Sequence, residues 1–162
     1  MSIDLERFLP YRLSVLTNQV SGAIAGTYQR RFDLTIPEWR VIAVLARHPG
    51  LSAREVSEKT RMDAVAVSRS VMRLLRAGRV RRSTAAGDRR RSVLRLSDSG
   101  QRVYRTVAPL ALQYEQALLA ELSADEIRLL DSALQKLTAR AEQLAARGNE
   151  TKQATVRTQR PL

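Results

Sequence analysis

Arginine is the side chain through which this chain could do chemistry, and its spacing is specific. In Asp63–Gly78 (DAVAVSRSVMRLLRAG), Arg69, Arg73 and Arg76 recur at steps of four and three, which gathers them on one side of a helix. A guanidinium presents its donors in a fixed planar fork, which matches the two major-groove acceptors of guanine or two oxygens of a phosphate. A second group, Asp88, Arg89, Arg90 and Arg91, follows Gly87 and places three guanidiniums at a tip, beside one carboxylate that can orient a neighbour. Arginines on such a projection suit the narrow minor groove, where negative potential is strongest. Between Arg54 and Arg102 stand 14 Arg and Lys against 5 Asp and Glu, a net of +9 out of the +12 carried by all 162 residues. Solubility does not require such concentration. A polyanion does, because each neutralised phosphate releases counterions and drives binding. The partner these residues predict is double-stranded DNA.

The elements that must hold these arginines are legible around them. Leu13, Leu16, Val20, Ile24 and Tyr28 recur at helical steps and predict a first helix from about Pro10 to Arg31. Thr35-Ile-Pro-Glu38 is a capping box, with Pro37 tolerated in the first turn, and its helix runs to about His48 before Pro49-Gly50. Ser52-Ala-Arg-Glu55 is a second capping box, with Leu51 and Val56 as its staple. Asp63 caps the arginine-bearing helix and Gly78 sits where a left-handed stop belongs. On that helix Ala64, Val67, Val71, Leu74 and Leu75 form the packing face. Val65, Ala66, Arg69, Arg73 and Arg76 stand opposite, flanked by Ser68 and Ser70. Small residues at the first turn permit close approach to base edges, so these seven, with Ser52 on the supporting helix, are the candidate contacts. The bland alternative is a solvated basic face, which the capped helix before it and the basic hairpin after it disfavour.

After Gly78 the period changes. Val80–Ser83 and Ser92–Ser97 read as two strands joined by a turn over 85–91. Ser97 or Asp98 then caps a long helix through Tyr104, Val107, Ala111, Tyr114, Leu118 and Leu122, in which Pro109 should produce a kink. Ser123-Ala-Asp-Glu126 is a third capping box, opening a last helix that ends near Gly148, with 148–162 expected as a disordered tail.

Composition removes several classes. Cysteine is absent, so disulfides, thiolate zinc sites and thiol redox sensing are excluded. His48, the single histidine, has no companion ligands or nucleophile, and Gly22 and Gly26 lie in a helical pattern without a phosphate-loop context. No catalysis, metal or cofactor is expected. The start combines acids with apolar residues rather than a basic segment and an apolar run, and no stretch approaches a membrane span, so a cytoplasmic location without membrane contact is expected.

In order, Leu34-Thr-Ile-Pro-Glu-Trp-Arg40, Leu51-Ser-Ala-Arg-Glu-Val56, Ser68-Arg69 with Arg73-Leu74 and Gly78, and Asp88-Arg-Arg-Arg-Ser-Val-Leu-Arg-Leu-Ser-Asp-Ser-Gly100 resemble the MarR family of winged helix-turn-helix transcriptional regulators, over about residues 9 to 146. The resemblance implies a mainly α fold with a small β-hairpin wing, in which Asp88 orients the wing and Arg90 enters the minor groove. Residues 33–97 would form the winged helix-turn-helix, and 9–32 with 98–147 a helical dimerisation region. It also implies release by a small, often aromatic and anionic, effector, for which Trp39 and Arg40 are the candidate wall and anion partner. Trp39 equally fits core packing against Leu34. Arg79 and Met72 depart from the family pattern, which usually has an apolar or aromatic residue at the first and a polar one at the second.

The surplus apolar stripe on the terminal helices points independently to a two-fold dimer. A dimer predicts a pseudo-palindromic site with half-sites about one turn (~34 Å) apart. The expectation is a homodimeric, sequence-specific regulator, more specifically a repressor. A non-specific architectural DNA-coating protein is the competing expectation, and a protein-binding partner of another regulator is a third.

Overall fold

The computed structural model describes the backbone of residues 2–85 and 88–158, and the side chains of 2–84 and 92–147. In chain order the elements are α1 (Leu9–Phe32), α2 (Ile36–Arg47), α3 (Ala53–Thr60), α4 (Ala64–Arg76), β1 (Val80–Ala85), β2 (Asp88–Leu96), α5 (Asp98–Leu119) and α6 (Ala124–Thr158). The fold is mainly helical with one two-stranded antiparallel hairpin, as expected. Two compact units divide within α5, one reaching Glu115 and the other starting at Gln116.

In the first unit, one apolar core joins α1, α2, α3, α4, the hairpin and the start of α5. Tyr28, Leu34, Val41, Ile42, Leu45, Val56, Val67, Val71, Leu74, Val80, Leu94, Val103 and Val107 are its buried centre. On α4 the expected packing residues Val67, Val71 and Leu74 are buried but Ala64 is exposed, and on α1 the expected stripe is buried only at Tyr28, with Leu13 and Leu16 exposed. Both expected capping boxes in this unit form. Thr35 Oγ1 accepts from the Glu38 amide at 3.4 Å while Glu38 Oε2 accepts from the Thr35 amide at 2.8 Å. Ser52 and Glu55 repeat the arrangement at 3.3 and 2.7 Å. The end of α4 is closed by a left-handed Gly78 (φ 64°), with the Arg79 amide donating to the Leu74 carbonyl at 2.9 Å.

Strands β1 and β2 pair from Val80↔Leu96 to Thr84↔Ser92, with an irregularity after Thr84. The expected wide turn over 85–91 is narrower, because β2 starts at Asp88 rather than Ser92. The hairpin's base is anchored: Leu94 and the Pro49-Gly50 turn exchange bonds, Gly50 N to Leu94 O at 2.9 Å and Leu94 N to Leu51 O at 2.8 Å. A second junction ties α4 to α5. The buried Ser97 hydroxyl donates to the Gly78 carbonyl at 2.6 Å and accepts from the Gly100 amide at 3.1 Å, while the Ser97 amide donates to the Arg79 carbonyl at 3.0 Å. Ser97, of the two candidates, is therefore the cap of α5. Gly100 has to be glycine, since a Cβ there would overlap the Arg79 carbonyl. Pro109 lies inside α5 without ending it.

The second unit holds the end of α5 and α6. The Ser123–Glu126 capping box forms, with Glu126 N to Ser123 Oγ at 3.3 Å and Ser123 N to Glu126 Oε2 at 2.8 Å. The stop expected near Gly148 is not observed, and the backbone stays helical through Thr158. One interior glycine costs roughly 1 kcal/mol relative to alanine, and no proline intervenes before Pro161. Among the described residues, no helix is long and apolar enough to cross a membrane.

Candidate nucleic-acid interface

Helix α4 is presented on a fixed support. Its N-terminus is capped by Asp63, whose carboxylate accepts from the Ala66 amide at 3.0 Å. Its inner face packs through Val67, Val71 and Leu74, each 1% exposed or less. Of the expected contacts, Val65, Ser68, Arg69, Arg73 and Arg76 are exposed and Ala66 is half-buried. Ser70 is a correction. It is 5% exposed and its hydroxyl donates back to the Ala66 carbonyl at 2.8 Å, so it belongs to the packing face. Ser52 is half-buried, and its hydroxyl proton is directed to Glu55 Oε2 at 2.8 Å. Capping is therefore its observed role. Asp88, Arg89, Arg90 and Arg91 lie on the backbone of β2, but their side chains fall outside the described residues.

Arg73 has a partner that local spacing does not reveal. Its Nε donates to Glu38 Oε1 at 2.7 Å, bridging α4 to the first turn of α2. Glu38 is 2% exposed, and its other oxygen accepts from the Thr35 amide and hydroxyl at 2.8 and 2.7 Å. Burial pushes the Glu38 pKa up, but the Thr35 hydrogen bonds and the Arg73 guanidinium outweigh it, and the net shift is downward. Glu38 raises the Arg73 pKa in return. With Nε held by Glu38, the Arg73 side chain remains 52% exposed. Nearby, a cleft of about 400 Å³ is lined by Asp33, Glu38, Arg73, Arg76, Ala77 and Arg79. Arg79 spends its charge locally, donating to the Phe32 and Asp33 carbonyls at the end of α1. A cation is useful at that helix end, which gives the departure at this position a physical reason.

The hairpin stem adds arginines that motif reasoning left out. Arg81 and Arg95 are directly paired across the ladder and both are exposed. Like charges in opposite register are destabilising, and the exposed Arg81–Asp98 contact at 3.7 Å offsets little of that. Bringing phosphate to this face would relieve the repulsion. Met72 also emerges: it is 48% exposed on the outer side of α4.

Trp39 packs between two tyrosines, with ring centroids 5.6 Å from Tyr28 and 6.0 Å from Tyr104. Arg40 donates to the Ser21 hydroxyl at 3.2 Å. Burial raises the Tyr28 pKa to about 12, with Arg40 pulling the other way. Trp39 is thus part of an aromatic stack that joins α1, α2 and α5. Among the described residues, no group of His, Cys, Asp or Glu could hold a metal ion.

Residues 32–91, which span α2 to the hairpin, match the model of the MarR family. Over this stretch, about a third of the chain, it is similar to the MarR family. The transcriptional repressor Rv2887 of Mycobacterium tuberculosis is 27% identical over 131 residues, 80% of this chain and 91% of that protein. A MarR/EmrR family regulator from an Acinetobacter species superimposes with a TM-score of 0.80 at 27% identity, covering 87% of this chain and 99% of that one. PcaV of Streptomyces coelicolor, solved with its natural ligand, superimposes with a TM-score of 0.72 at 29% identity over the same shares. Each of these relatives is named as a transcriptional regulator or repressor.

Proposed function

We propose that this chain is a MarR-family transcriptional regulator, a homodimer that reads a pseudo-palindromic DNA site through α4 and acts as a repressor. The observation that carries the proposal is the outer face of α4. Arg69 and Arg76 are exposed there, on a helix clamped to α2 by the Glu38–Arg73 pair and closed at both ends. Arginine on a rigid exposed helix supports bidentate contact with guanine, whereas coating a duplex needs only phosphate contacts. The wing residues Asp88, Arg89, Arg90 and Arg91 are proposed for the minor groove, and Ser68 for phosphate or base edges.

Dimerisation is supported by apolar side chains left exposed within each unit. Leu13 and Leu16 on α1 are 38% and 50% exposed; on α6, Leu130, Leu134, Leu137 and Leu144 are at least 43% exposed. Such stripes are characteristic of surfaces that associate. Repression is supported by Rv2887, a repressor by name, and an effector by PcaV, which was solved with its natural ligand; that the effector releases this chain from DNA is part of the proposal. For an anionic aromatic effector, Arg40 is the candidate anion partner beside the Trp39 stack.

Selection from random duplex DNA at physiological salt tests the proposal. Enrichment of a palindrome with half-sites one turn apart is expected. Uniform binding without an enriched site would instead favour an architectural, DNA-coating protein.

A further inference from the structure

Between residues 17 and 111, the exposed large hydrophobic side chains among the described residues are Val65 and Met72, at 54% and 48%. Every other large apolar side chain in that stretch is at least partly covered, so this pair stands out against a well-closed core. Both lie on α4. At about 100° per residue, Val65, Arg69, Met72 and Arg76 fall within an arc of roughly 60°, a single outward stripe that alternates apolar and cationic. Arg73 stands on its flank, where Glu38 holds it.

From this stripe we infer that Met72 and Val65 are specificity-determining residues that recognise thymine 5-methyl groups. The inference rests on the proposal that α4 enters the major groove. There, an apolar side chain meets one apolar feature on the base edges, the thymine methyl. Seven residues of helix separate Val65 from Met72, about 10 Å, or roughly three base steps of 3.4 Å. Arg69 lies between them on the same stripe and suits an intervening guanine. Each half-site therefore carries two thymine contacts about three steps apart, with a guanine contact between. Flexible methionine can follow a methyl group whose position shifts as the groove deforms, whereas valine at the helix start is stiff and fixes register.

The test uses the full-length protein and the duplex recovered by selection, with each thymine replaced singly by deoxyuridine, which pairs identically but lacks the methyl. Loss of one buried methyl contact corresponds to about fourfold weaker binding. Wild type is expected to lose about that factor at two positions per half-site. Met72→Ala should abolish the discrimination at one of them, Val65→Ala at the other, and Arg69→Ala at neither. Both apolar side chains are exposed, so melting temperatures should be unchanged and loss of folding does not confuse the result. Equal binding of thymine and deoxyuridine at every position, or discrimination that survives both alanine variants, would overturn the inference while leaving sequence-specific binding intact. Failure of the selection to yield any site would overturn the DNA reading itself, and this inference with it.

Discussion

Replacing Glu38 by glutamine is the most informative perturbation of the framework. The carboxylate is 2% exposed and receives three donors, the Thr35 amide and hydroxyl on Oε2 and Arg73 Nε on Oε1. An amide has nearly the same shape but one accepting oxygen. Pointed at Thr35, it aims its NH2 group at the Arg73 nitrogen; turned over, it aims that group at the Thr35 amide. Either way a donor faces a donor. A charge-assisted hydrogen bond contributes about 1.5–3 kcal/mol and a buried unsatisfied donor costs about 1–3 kcal/mol. Arg73 can turn to water, which moderates the total, and Glu38→Gln is expected to cost roughly 2–4 kcal/mol at pH 7, a large part of the ~5–15 kcal/mol typical of a domain. Urea denaturation at fixed protein concentration measures it as a lower midpoint with unchanged slope. The pH dependence has a definite sign. Because the folded-state pKa is depressed, the ionised carboxylate's contribution is fully present above the ordinary value of 4.5 and is lost as pH falls from there through the folded value. The gap between wild type and variant must therefore narrow below pH 4.5. A gap under about 0.5 kcal/mol at pH 7, or one that stays constant through that acid window, would refute the reasoning.

Gly100→Ala should destabilise by about 1–3 kcal/mol, because its Cβ meets the Arg79 backbone rather than a movable side chain; an unchanged melting temperature would count against the close approach. Arg69→Ala should alter base preference in a selection while leaving melting unchanged. Arg73→Ala should also lower the melting temperature, since it strips the buried Glu38 of its cation. If both variants melt alike, the Glu38–Arg73 bridge has no structural weight. Leu130→Glu combined with Leu137→Glu on α6 should convert a dimer to monomer in sedimentation, and a dimer that survives would place the association elsewhere.

What could be anticipated from the chain depended on range. The boxes at Thr35–Glu38, Ser52–Glu55 and Ser123–Glu126 were legible because each closes within four residues and its bonds are dictated by spacing. The second task of Glu38 was not, since Arg73 lies 35 residues away and the same carboxylate already had a sufficient local explanation. Ser70 was misassigned although the helical angle could have corrected it: it lies about 140° from Val65, on the packing side. Met72 was noticed only as a departure, yet its exposure between Arg69 and Arg76 follows from the same geometry. The start of β2 was missed because an uninterrupted Arg89–Arg91 run hides the alternation of a strand. The end of α6 was misjudged because a single glycine weakens a helix without stopping it.

The Ser97 junction has a mechanical consequence. Two hydrogen bonds from Ser97 and a contact at Gly100 that admits no Cβ join Gly78 and Arg79, just past the end of α4, to the cap and first turn of α5. A joint so closely filled has almost no slack, so it transmits displacement instead of absorbing it. Force applied along the early part of α5 is delivered at Gly78 and Arg79 as motion of α4, in the manner of a welded bracket rather than a hinge. A lengthened or softened linkage at Ser97 would leave every outward arginine in place and yet uncouple the lever from its load.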